Sequence, residues 1–175
     1  MNPALGPFAI AAVLLVVAGA LKARQPSDTA TALDRMGLIR NEMAVRASGI
    51  AELALGVAAL AVADAVVVVL VAMSYGAFFI VVSVALVRKL PLASCGCFGK
   101  VDTPPSLLHL GIGLGALLAA VGMALDPAIS PLEVVTGHFP ASVAYVVLVA
   151  IGVVTSFELL TLLPRARAVA RPTVT

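Results

Sequence analysis

Cys95 and Cys97 are the only cysteines in the 175-residue chain, and a single glycine, Gly96, separates them. Two cysteines this close can close a disulfide on each other. Their Cα atoms fall within bridging distance in an extended or turn conformation, and the intervening glycine relieves the backbone restriction. The small ring so formed is strained, and strained or exposed disulfides are the labile, exchange-active ones. Lys100 lies close in sequence and a helix N-terminus follows, and both favour the thiolate. Buried free cysteines are often no more than small hydrophobes, but these two are paired in the glycine-containing stretch Cys95-Gly96-Cys97-Phe98-Gly99, which points to redox or ligand chemistry. Metal binding is the competing use. Two thiolates do not complete a zinc site, so His109, Asp102 or a partner would have to supply the rest, whereas a linear site for Cu(I) needs nothing further.

Two more residues could take part. Glu52 lies about two turns inside an apolar run, where an ionisable group is costly and usually faces a cavity or a partner. Its structural alternative is a neutral acid bonded to a facing helix, or a pair with Arg46 nearer the surface. His109 follows the cysteines by one turn of the next apolar run and could relay a proton during thiol exchange. Its alternative is an ordinary interfacial histidine. Glu158, near the end of the last apolar run, reads as structural.

The elements that must hold these residues are read from hydropathy. The chain is 62% hydrophobic and 11% charged, with a mean hydropathy of +1.14. Charged residues make up about a quarter of an ordinary soluble domain, so the composition predicts an all-α integral membrane protein, a bundle of four to five transmembrane helices forming one polytopic domain over 1–175. Crossing a bilayer takes about 20 apolar residues, and the expected spans are about 3–21, 47–63, 65–87, 106–125 and 142–163. The first is not a signal peptide, because no Lys or Arg precedes Lys22. Between the first two spans lies a polar segment in which Ser27 or Asp28 could cap a short helix through Leu38, with Ala32, Leu33, Met36 and Ile39 toward the bilayer. Asp64 marks a tight hairpin, and Pro91 prevents the third span from continuing. Gly111 and Gly115 form a G-x-x-x-G that would let another helix approach closely. The segment 126–141 reads as a loop with three prolines, Glu133 and His138.

The net charge of +2 carries no nucleic-acid signal, since the basic residues sit at span ends and form no stripe. Their distribution does orient the chain. All eleven Lys and Arg fall in the first inter-span segment, the cysteine loop and the C-terminal tail. The N-terminus, the Asp64 turn and the 126–141 loop have none. With five spans, the positive-inside rule puts the N-terminus outside and the cysteine loop in the cytoplasm.

The stretch Ala18-Gly-Ala-Leu-Lys22, followed by Arg46-Ala-Ser-Gly49-Ile-Ala-Glu52-Leu-Ala-Leu-Gly56, resembles the opening half of DoxX-like membrane proteins. Cys95-Gly-Cys-Phe-Gly99 followed by Pro105-Ser106 and an apolar span is similar to the MauE branch, the methylamine-utilisation membrane proteins. The resemblance covers roughly residues 5 to 125. It implies a small helical bundle that forms or handles disulfides in a client, alongside a thioredoxin-like protein. In the named branch the client is an amine dehydrogenase subunit. The roles carried over are Cys95 and Cys97 as the dithiol and Glu52 as the recurrent intramembrane acid. One departure stands out: where the resemblance implies an Arg-Asn pair a turn or so into the span after the cysteines, this chain has His109-Leu-Gly-Ile. Such a role would suit an extracytoplasmic loop, in tension with the charge distribution.

The expected function is therefore a multi-pass cell-membrane thiol–disulfide redox component that exchanges with a thioredoxin-like or disulfide-containing client. A membrane quinone is a candidate electron acceptor, although no residue pattern marks a site for it. The rival readings are a non-catalytic assembly or chaperone-like factor and a soft-metal-handling protein.

Overall fold

A computed structural model describes residues 2–38, 40–62, 64–90, 104–127, 129–137 and 140–161. All regular structure in them is helical: α1 (Leu5–Arg24), α2 (Pro26–Arg35), α3 (Glu42–Ala61), α4 (Ala65–Val87), α5 (Leu107–Leu125), α6 (Pro131–Gly137) and α7 (Ala141–Thr161). Five of these, α1, α3, α4, α5 and α7, are long and apolar enough to cross a membrane. At 1.5 Å per residue, helices of this length span about 30 Å, the thickness of the hydrocarbon core. Among the described residues, the helices long and apolar enough to span match the upper end of the expected count.

Local chemistry fixes where these helices begin and end. α3 starts five residues earlier than hydropathy suggests, because Asn41 caps it: its Oδ1 accepts from the Ala44 amide at 3.0 Å. Asp64 caps α4 by accepting from Val66 and Val67 at 2.8 and 3.0 Å, which makes the expected hairpin. α4 ends in a Schellman turn. The Leu90 amide donates to Ala85 and that of Lys89 to Leu86, with Lys89 left-handed at φ 49°.

α1 is the most buried of the five long helices and the others are arranged around it. Its closest neighbour is α3, which runs antiparallel to it. A Cβ placed on Gly19 would lie 2.5 Å from the Leu53 amide nitrogen, one on Gly49 2.7 Å from that of Ala23, and one on Gly56 2.8 Å from the Ala12 carbonyl. These are backbone-to-backbone approaches that no side chain could fill. Small residues suit them, since inside a bilayer helix association rests on close van der Waals packing. Phe8, Ala11, Ala12 and Leu15 of α1 then meet Ala59, Val68, Val71 and Ala120 in the main core.

On the other side α4 packs on α5, with the Phe78 ring set against Gly113. The Tyr75 hydroxyl of α4 donates to the Ala11 carbonyl of α1 at 2.7 Å. At the opposite end Asn2 staples the N-terminus, accepting from Ala4 at 2.7 Å and donating to the Asp126 carbonyl at the C-cap of α5. The expected role of Gly111 and Gly115 is not borne out: nothing described lies within 4 Å of a Cβ at either. The glycine that matters in α5 is the one between them.

Two expectations about the connections are corrected. α2 is capped by neither Ser27 nor Asp28; its N-cap is Gln25, and Pro26 occupies the first helical position. Its Ala32 and Met36 pack against Ala85 and Leu90 at the end of α4, so part of the face assigned to the bilayer covers the bundle instead. The stretch expected as a loop contains α6, nucleated by Pro131 and a capping box. Ser130 donates its amide to Glu133 Oε2 at 2.6 Å and accepts the Glu133 amide on Oγ at 3.2 Å. Those bonds favour the charged carboxylate and hold Glu133 below the usual glutamate range.

Gly49→Ala should force α1 and α3 apart and destabilise the protein by about 1–3 kcal/mol, the usual cost of overpacking. Gly111→Ala should be neutral or stabilising by up to about 1 kcal/mol, through helix propensity alone. Unfolding in a denaturing-detergent titration reads both. For Glu133, a depressed folded-state pKa means a contribution present above the unfolded value of about 4.3 and lost as pH falls through the lower folded value. Hydrogen exchange in α6, corrected for intrinsic rate, should therefore accelerate in acid, and Glu133→Gln, which has no carboxylate to protonate, should remove that dependence.

Candidate functional site

The glycine crossing sets the register that makes the site. With Gly49 against Ala23 and Gly19 against Leu53, Glu52 falls opposite Lys22 near the C-terminus of α1. The Lys22 ammonium bonds both carboxylate oxygens, 2.7 Å to Oε1 and 2.8 Å to Oε2. The two side chains are 14% and 24% exposed, so the pair is largely desolvated. Of the two structural alternatives for Glu52, bonding to a facing helix is the one realised, as an ion pair. Arg46 is exposed and takes no part. Lys22 is the partner of Glu52 that sequence reasoning passed over, although the signal was present: an acid inside a span calls for a cation, and Lys22 ends the preceding one.

The pair borders a cavity of about 70 Å³. Ser74, Tyr75 and Phe78 of α4 form one wall, Leu14, Leu15 and Ala18 of α1 another, and Ile112 of α5 and Leu160 of α7 close it. Ser74 donates to the Leu70 carbonyl at 3.0 Å and Tyr75 to Ala11. The chamber is thus apolar on most sides and has one charged corner of zero net charge.

His109 stands in the first turn of α5 and is fully buried. Its Nδ1 lies 2.9 Å from Ser106 Oγ. Ile112, one turn further along α5, reaches the Lys22–Glu52 cavity, so His109 and the ion pair occupy the same end of the bundle. Cys95 and Cys97 lie outside the described residues, as do Lys100 and Asp102. The described chain leaves the bundle at Leu90, which packs beside Ala32 and Ala85, and returns at Pro104, two residues before Ser106. The segment holding the dithiol is thus tethered at both ends to the end of the bundle that carries His109 and α2. Nearby, Asp28 Oδ2 in α2 is buried without a hydrogen-bond partner among the described residues. No three His, Cys, Asp or Glu side chains come together as a metal site among the described residues.

The model of the family described as Methylamine utilisation protein MauE matches residues 3–126. That region runs from α1 through the C-cap of α5, and α6 and α7 lie beyond it. The two stretches that first suggested the resemblance prove to be contact surfaces for one another. Gly19 meets Gly49, and Lys22 meets Glu52. No curated protein and no solved structure matches the chain.

Removing one partner of a largely buried ion pair leaves an uncompensated charge and costs on the order of 3–5 kcal/mol, whereas replacing both by apolar or neutral groups can be close to neutral. Lys22→Met should therefore lower folded yield and unfolding resistance sharply, and Glu52→Gln added to it should restore most of both. A double-mutant cycle on detergent-solubilised protein measures the coupling.

Proposed function

The chain belongs to the MauE family of methylamine utilisation proteins, and from that membership we propose that this multi-pass membrane protein forms disulfides in a client through Cys95 and Cys97. One observation carries the proposal. The only two cysteines of the chain lie in the connection between α4 and α5, inside the family-matched region, and that connection is anchored at the end of the bundle bearing Lys22, Glu52 and His109.

In the forward direction a client thiolate attacks the Cys95–Cys97 disulfide. One cysteine leaves as a thiolate while a mixed disulfide forms. The second client thiolate then attacks its own sulfur in that bridge and expels the other cysteine. The client ends oxidised and the pair reduced, with two electrons and two protons transferred. Proton handling falls to His109, which Ser106 holds in a fixed orientation immediately after the loop. Glu52 is held by Lys22 through both carboxylate oxygens and anchors the cavity beside that end of the bundle. The client is a thioredoxin-like protein or a protein whose own cysteines need pairing. With five spans, the end that carries every described Lys and Arg, and from which the dithiol segment departs, is the end that the positive-inside rule assigns to the cytoplasm.

Replacing Cys95 or Cys97 singly by serine should trap a client as a disulfide-linked adduct on a non-reducing gel, and the double replacement should trap none. A non-catalytic assembly factor would support client maturation without either cysteine. A soft-metal handler would bind one soft ion per chain and trap no adduct.

A further inference from the structure

The reduced pair must be reoxidised, and the chain has no second pair of cysteines to pass electrons to. Beside the Lys22–Glu52 cavity runs a groove of about 570 Å³ between α1 and α5, bordered by α7. Leu14 and Ile112 line both spaces, so the groove and the cavity adjoin across these two side chains. Along its length it is almost wholly apolar, floored by Ala11, Gly115 and Ala116, with Ser156 at its margin. It persists because α7, the least buried of the long helices, leaves a gap beside α5. An apolar groove adjoining a cavity with one charged corner suits an amphiphile, its tail in the groove and its head in the cavity.

The chemistry of the corner selects the head. Lys22 and Glu52 cancel, so an anionic lipid head meets no net positive charge there. Two of the three ammonium N–H groups of Lys22 go to Glu52. Among the described residues the third is left to donate to a neutral acceptor. A cavity of about 70 Å³ admits a carbonyl and the adjoining ring edge, while the remainder of the ring lies across Leu14 and Ile112. We propose that this cavity and groove bind a prenylated quinone, its carbonyl oxygen on Lys22 and its tail along α1 and α5. The role of that quinone rests on the dithiol reading above. Oxidation of the Cys95–Cys97 dithiol releases two electrons and two protons, and the quinone takes up both, becoming a quinol. Charge developing on the carbonyl oxygen during that reduction is stabilised by the ammonium already pointed at it.

The test is equilibrium binding of a decyl-tailed benzoquinone, and of the same ring without a tail, to the full-length protein in nanodiscs, with empty nanodiscs as reference. Saturable one-to-one binding is expected for the wild type. Gly115→Leu fills the groove from a position where an added Cβ meets nothing within 4 Å. It should weaken the tailed quinone at least tenfold and leave the tail-less ring within twofold. Lys22→Met combined with Glu52→Gln, chosen to avoid an unpaired charge, should weaken both. The site is overturned if the wild type binds no quinone above the empty nanodisc, if both variants bind like the wild type, or if a tightly held phospholipid occupies the groove and quinone does not displace it. Protein with both cysteines changed to serine should bind quinone as the wild type does, and loss of binding there would also overturn the site. A failure of client trapping alongside intact quinone binding would count against the dithiol reading and not against this site.

Discussion

A lysine and a glutamate can be held together inside an apolar bundle only if their helices approach closely enough to lock both side chains in one geometry. The α1–α3 crossing provides this. Gly19, Gly49 and Gly56 let the two backbones approach closely, and the resulting register sets Lys22 against Glu52 with both carboxylate oxygens bonded. Each charge alone would be costly in a membrane span; together they satisfy one another and fix the rotation of α3 about its axis. α4 and α5 then complete the cavity around the pair, and Tyr75 ties α4 back to α1 through the Ala11 carbonyl. Shifting α3 by one residue would place backbone against side chain at all three glycines and part the charges.

The bundle divides functionally along the same lines. α1 to α5 fall within the family-matched region and hold the ion pair, the buried histidine and both anchors of the dithiol segment. α7 lies outside it, contributes few buried residues and carries Val147, Leu148 and Ile151 on a well-exposed face suited to lipid. Its looser seating on α1 is what leaves the grooves beside it. One of these adjoins the ion-pair cavity across Leu14 and Ile112, and the other, of about 610 Å³, lies between α1, α3, α6 and α7. The appended helix therefore shapes the lateral access to the core without supplying its chemistry.

Much of this was legible in the sequence. Hydropathy located all five spans, because a run of about 20 apolar residues has few soluble interpretations, and Asp64 announced its hairpin by being the one polar residue between two such runs. What hydropathy could not see was capping and register. Asn41 extends α3 through residues polar enough to look like a loop. The S-x-x-E of Ser130–Glu133 builds α6 among prolines. For Glu52 hydropathy leaves open a facing helix or Arg46, and only the register of α1 against α3 picks Lys22. The glycine signal misled in an instructive way. Gly111 and Gly115 have the familiar spacing but face open space, whereas Gly19, Gly49 and Gly56 are scattered over two helices and make the closest backbone-to-backbone approaches described. Spacing within one helix shows that approach is permitted; only the partner helix determines where it happens.

The central claim is that Cys95 and Cys97 work as one redox pair at the basic end of the bundle. The most direct measurement is differential labelling with a membrane-impermeant maleimide, before and after reduction, in intact and permeabilised cells. The account predicts that the two cysteines change together, that part of the population labels only after reduction, and that labelling requires permeabilisation. Thiols that label fully without reduction under every condition, or that react independently of one another, would contradict the redox pair. Labelling of a disulfide from outside intact cells after reduction would keep the pair and reverse the orientation.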